Sequence, residues 1–260
     1  ESLKNVDVSE SRFNLLKEQL ITHWRNADKS KSISQLFSVL SSALQPSNPS
    51  ANDMLTALSS VNFEQFVTFC KSIFKQVSLD ILVHGNWHKK TAFRICDIVL
   101  NALEEGVAEE YKVKIPLVDM TDKGQINLPL VIPEHDHACV IYYPLSDKAE
   151  QTIAKTIITT HLLSPLFFQQ MRTEKQFGYL VGVGYVPIHN YPGIAFYIQS
   201  PHTDSHTLSQ AINDFIESYQ EMLSSMPLQE WSHLQQGLAG QLQEKDTSLR
   251  IRSQRFWAAL

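Results

Sequence analysis

A chain of 260 residues is long enough to bury one large core or two modest ones. Its 43% hydrophobic and 19% charged residues are those of an ordinary globular protein. The net charge of −5, without any dense Lys/Arg cluster, argues against a nucleic-acid surface. No apolar run approaches the roughly 20 residues that a bilayer span requires, so no membrane partner is expected. The opening ESLKNVDVSESRF has no basic or apolar leader pattern, and no secretory signal is read in it. Cys70, Cys96 and Cys139 are far apart in apolar segments and read as small buried hydrophobes.

From Glu10 to about Leu58 the pattern is helical. Phe13, Leu16, Leu20 and Trp24 form one stripe, and Leu36, Phe37, Leu40 and Leu44 another. Pro46-Ser-Asn-Pro49 breaks the chain before a short third helix. Asn62 is placed to cap the next one, because its side chain can accept from free backbone N–H groups. Residues 78–83 alternate and end in His84-Gly-Asn, which reads as a strand and a turn. Thr91 to Leu103 is again helical. Residues 105–125, charged and aperiodic, read as an inter-domain linker.

Strands are expected at about 126–132 and 138–143, then a helix from Lys148 to Leu163, with Pro165 opening a short helix into Arg172. Two strands at about 178–187 and 193–200 are joined by a hairpin loop, Pro187 to Gly193. A long amphipathic helix follows, capped by Asp204 or Ser205, and Pro227 suits the first turn of another. The segment LRIRSQRFWAAL starts helical and reaches Leu260 without a stop signal. This order predicts an α+β fold in two layers, an antiparallel sheet packed with helices.

Chemistry is sparse. His84 and His88 are four apart but straddle Gly85, with no Glu between them, so strand and turn is the better reading than metal. His135 and His137 could chelate on a loop, but strand alternation or a solvated turn is the better reading, and His202 and His206 flank a helix start. Neither His-Glu-x-x-His nor His-x-x-Glu-His occurs, so no metal site is expected in this chain. There is no nucleophile elbow and no electropositive setting for a thiol. Gly182-Val-Gly184 lacks a third glycine and reads as a sheet position where another backbone comes close.

The segment Pro165-Leu-Phe-Phe-Gln-Gln-Met-Arg-Thr-Glu-Lys-Gln-Phe-Gly-Tyr-Leu-Val181 closely resembles the Arg-Thr…Gln-Leu-Gly-Tyr segment of the pitrilysin and insulin-degrading-enzyme family. Leu79 to Asn86 (LDILVHGN) resembles the end of that family's third domain, and Ile194 to Ser200 (IAFYIQS) a strand of its fourth. The resemblance covers about residues 60 to 260, and Phe177 stands where the family commonly has Leu. It implies a large zinc metalloendopeptidase of four related domains. Residues 1–104 would belong to the third, 126–260 to a fourth that lacks its last elements. Zinc would be held upstream, by the N-terminal half of the same polypeptide, and this chain alone would be inactive. The resemblance maps a substrate-binding and catalysis-supporting pair onto Arg172 and Tyr179, and peptides are the implied substrates. A forked guanidinium suits a peptide carbonyl or carboxylate, and a phenol can steady developing oxyanion charge. Glu174, Gln176 and Gly178 read as structural. A bacterial pitrilysin would be periplasmic. The alternative is a non-catalytic structural or peptide-binding subunit of the same fold.

Overall fold

The computed structural model describes residues 8–75, 77–103, 116–133 and 135–258. Five helices come first: α1 (Glu10–Arg25), α2 (Ser32–Leu44), α3 (Ala51–Ser60), α4 (Phe63–Ser72) and α5 (Lys89–Ala102). Then follow β1 (His137–Pro144), α6 (Glu150–Phe168), a π-helical turn (Gln169–Glu174), β2 (Leu180–Tyr185), β3 (Gly193–Ser200), α7 (Ser205–Ser224), α8 (Leu228–Gln243) and α9 (Leu249–Ala258). The fold is α+β, as its pattern predicts.

Two compact units divide the chain. One comprises Glu1–Thr22, Thr56–Lys114 and Glu244–Leu260, the other His23–Leu55 and Ile115–Gln243. These units cross the predicted partition at residues 104 and 126. The α2 segment, expected with the N-terminal part, packs against β1 and β3 of the second unit. Of the expected linker, residues 105–115 lie outside the described residues.

In the first unit Phe13 is buried from α1, its ring 5.7 Å from Phe63 and 5.1 Å from Phe66 of α4. Asn62 caps α4 as expected and forms a full capping box. Its side chain accepts from the Gln65 N–H at 2.9 Å, and the Gln65 side chain accepts from the Asn62 N–H at 2.9 Å. Residues 78–83 differ from expectation: they belong to no strand ladder among the described residues. Alternation favours an extended backbone, but a strand also needs a neighbouring backbone to bond. His84 is packed on α9, its Nδ1 2.7 Å from Ser253 Oγ and its ring edge-on to Phe256 at 5.0 Å.

In the second unit the sheet has the order β1-β3-β2, both pairs antiparallel. Alternation sends Cys139, Ile141, Val181, Val183, Phe196 and Ile198 to one face, where they meet α6 and α7. Phe167, Phe196, Phe215 and Tyr219 form a chain of aromatic contacts through this core. The other face carries α2, whose Phe37 ring lies 5.7 Å from Tyr197. The expected strand at 126–132 is absent: the segment is irregular and Val131 is 97% exposed, so apolar residues alone do not make a strand without a partner.

Pro165 also departs from expectation, lying inside α6 instead of opening a new helix. One lost backbone bond is tolerated there because the flanking side chains Leu162, Leu163 and Phe167 are buried on both sides of it. The hairpin after β2 turns through His189 (φ 49°) and Asn190 (φ 67°), with Ile188 and Tyr191 exchanging bonds of 3.0 Å. Two successive left-handed residues make the turn whose twist suits a hairpin.

Asp204 is the cap of α7, accepting from the N–H groups of His206 and Thr207, each at 3.0 Å. The Thr207 hydroxyl and these backbone bonds hold its carboxyl below the usual aspartate range. A lowered folded value means that the stabilisation is complete above the unfolded value of about 3.9 and is lost as pH falls through the lower folded value. Amide exchange at the start of α7 is therefore expected to speed up as pH drops through that acidic window, after correction for intrinsic rates. Asp204→Asn, which still caps but does not titrate there, is expected to abolish this dependence.

Candidate functional site

Helix α6 runs into the elbow without a break, then widens. Lys175 N–H bonds to Gln170 O at 2.9 Å, and Phe177 N–H reaches back to Met171 O at 3.1 Å. Widened turns of this kind are uncommon and occur often at functional sites. Gln176 takes φ 54°, the left-handed conformation that ends a helix, at a cost of about 1 kcal/mol or more for a residue other than glycine. Met171 is fully buried and Phe177 packs on the same core, so this turn is anchored at both ends.

Gly178 follows, and a Cβ there would meet the main-chain carbonyl of Gln199. Backbone comes close at Gly178, in keeping with its structural reading. At Gly182 the neighbour is different from the expected backbone: the Tyr197 phenol lies across it. A glycine at that sheet position leaves room for an aromatic ring. Tyr142 lies over Gly193 in the same way, and its hydroxyl donates to Val186 O at 3.0 Å. Burial, and then the nearby Tyr185 phenol, push Tyr142 up to about 12, so it stays a donor at neutral pH.

This turn brings Arg172 and Tyr179 together. Arg172 Nη1 donates to Tyr179 O at 3.0 Å, and the guanidinium carbon lies 5.1 Å from the centroid of Phe168. The guanidinium is thus held by a carbonyl and an aromatic face, and because Arg172 is exposed its remaining donors point to solvent. Tyr179 is 53% exposed, and its hydroxyl has no hydrogen-bond partner among the described residues. The Lys31 ammonium, at the start of α2, lies 5.7 Å from the Tyr179 ring centroid. Glu174 accepts from the Gln169 amide at 3.3 Å and closes the turn.

Sequence reasoning missed Phe168 and Lys31. The first was findable, because Phe168 and Arg172 are four apart at the end of a helix. Lys31 has no local signal; only folding brings it to Tyr179.

No group of three or more His, Cys, Asp or Glu able to hold a metal occurs among the described residues. His84 is bonded to Ser253, and His88 precedes α5. Asp136, between His135 and His137, accepts from the Gln199 amide at 2.9 Å.

A family model described as "PQQ synthase PqqF-like, C-terminal lobe domain 4" matches residues 158–257. The A-factor-processing enzyme of Saccharomyces cerevisiae is 22% identical over 100% of this chain and 26% of its own length. The insulin-degrading enzyme of Drosophila melanogaster is 23% identical over 99% of the chain and 27% of its own. The chain therefore spans about a quarter of the length of the curated relatives it matches. Among solved structures, pitrilysin superposes with a TM-score of 0.79 at 18% identity, over 96% of this chain and 27% of that one. A peptidase M16 inactive domain from Pseudomonas fluorescens gives 0.64 at 15% identity, over 95% and 59%.

Proposed function

The chain is related along its length to the C-terminal half of insulinase-family zinc peptidases, and from that premise we propose that it is the non-metal half of a zinc metalloendopeptidase, closing over peptide substrates. The observation that carries this reading is the pairing of an anchored guanidinium with an exposed phenol on one turn. Zinc, in this reading, would be held by an N-terminal half of the same polypeptide and would supply Lewis-acid chemistry there. Arg172 orients substrate through its outward N–H groups, toward a backbone carbonyl or carboxylate. Tyr179 aims its hydroxyl at oxygen that gains negative charge in the transition state, a group that water would solvate less well in a closed site. The edge of the sheet at β2 adds backbone hydrogen bonding, which tolerates varied peptide sequence.

A quenched fluorescent peptide of about ten residues tests this, in keeping with the extended grip of strand addition. The isolated chain with zinc is expected to show no turnover, and addition of a separately produced N-terminal half is expected to restore it. Chelator-sensitive turnover by the chain alone, or none with both halves and none by the intact protein, would refute the reading.

A further inference from the structure

Core packing covers only part of Tyr179, which is 53% exposed. Its ring face carries the Lys31 ammonium at 5.7 Å. Lys31 has little freedom of its own at the backbone, since the first turn of α2 is tied to the sheet by one buried and further part-buried bonds. Ile33 N–H donates to Gln199 Oε1 at 3.2 Å, across 166 residues of sequence. The Ser32 hydroxyl donates to Asp136 O at 2.9 Å, and Gln199 Nε2 donates to Asp136 Oδ2 at 2.9 Å. Ser32 and Gln199 are each 1% exposed, and the Ile33–Gln199 bond is buried, while the two bonds to the half-buried Asp136 are partly sheltered.

Gln199 has a second role in the same place. Its main-chain carbonyl is the surface on which Gly178 packs, one residue before Tyr179. The side chain of Gln199 thus fixes the start of α2 while its backbone fixes the elbow. The two segments that bear Lys31 and Tyr179 meet on one buried residue.

We infer that Lys31 is a positioning residue for Tyr179. An ammonium over the ring is attracted to its negative face and restrains how the ring turns. Lys31 acts through Tyr179 and need not touch substrate. The inference rests on the proposed reading of Tyr179 as facing the scissile carbonyl.

The test uses the intact protein that carries this chain and a quenched peptide, with kcat, KM and melting temperature measured for each variant. Lys31→Met keeps the alkyl stem and removes the charge. It is expected to lower kcat about two- to fivefold, the factor a partly exposed cation–π contact supports, with KM and melting temperature unchanged. Lys31→Arg, which retains a cation, is expected to recover most of the rate. In a Tyr179→Phe background, Lys31→Met is expected to change kcat no further, as befits residues that act as one unit. Wild-type kcat in Lys31→Met, alongside an impaired Tyr179→Phe, sinks the role of Lys31 and leaves the reading of Tyr179 standing. So does an undiminished Lys31→Met loss in the Tyr179→Phe background. Unaltered kcat in Tyr179→Phe, or no cleavage by the wild type, overturns the underlying reading and the role of Lys31 with it.

Discussion

Tyr179→Phe in the intact protein is expected to lower kcat for peptide cleavage by about 10²- to 10³-fold, the loss that follows removal of one well-placed oxyanion donor. The ring of the variant keeps its place: Phe can still carry the Lys31 ammonium, and the Arg172 bond goes to the main-chain carbonyl of residue 179, which the substitution does not touch. Only the hydroxyl is lost, from an exposed ring without another partner among the described residues, so folding stability is expected to change little. A loss confined to kcat, with KM near the wild-type value, marks an interaction made in the transition state. Arg172→Ala is expected to differ. It removes the bond that braces Tyr179 O as well as the donors that face solvent, so kcat and KM both suffer. Steady-state kinetics of the two variants with one peptide separate these roles. A Tyr179→Phe enzyme with wild-type kcat would remove the phenol from the chemistry.

Gly178→Ala is expected to destabilise the second unit by about 3 kcal/mol, the upper end of what overpacking usually costs. Its Cβ would be driven into the Gln199 carbonyl, which belongs to β3 backbone and cannot swing aside as a side chain can. Either the elbow or the end of β3 must move, and Gln199 is also the residue that holds Asp136 and the first turn of α2. At the few degrees per kcal/mol usual for proteins of this size, the melting temperature falls by about 6–12 °C. Gly240→Ala is the control. Nothing lies within 4 Å of its added Cβ, and it is in α8, so it is expected to be neutral or stabilising by up to about 1 kcal/mol. Thermal unfolding of both variants decides the matter. Equal melting temperatures would show that the β3 backbone yields at no cost, contrary to the packing described.

Proximity of Arg172 and Tyr179 follows from a short stretch of chain, although the pair was singled out in the sequence only through the family resemblance. A helix end, a left-handed residue and a glycine over seven positions leave few ways to connect α6 to β2. The caps were readable from local residues: Asn62 and Asp204 act on N–H groups two or three residues away. The positions of β1, β2 and β3 were legible because alternation and the turn between them agree. Alternation failed at 78–83 and 126–132, where the chain is irregular among the described residues. A strand's stability comes from a partner backbone, and no run of residues carries that information by itself.

The amino-acid sequence by itself therefore determined the helix stripes, the caps, the hairpin, the α+β class and the relationship to insulinase-family proteins. Each of these depends on residues close together in the chain or on the order of short motifs. Tertiary structure alone decided that α2 lies on the sheet face opposite α6 and α7, that Gly182 is covered by a phenol, and that Pro165 stays inside its helix. It also brought Lys31 to Tyr179. Those outcomes depend on which distant surfaces bury one another, and burial is a property of the folded whole that local propensity does not encode.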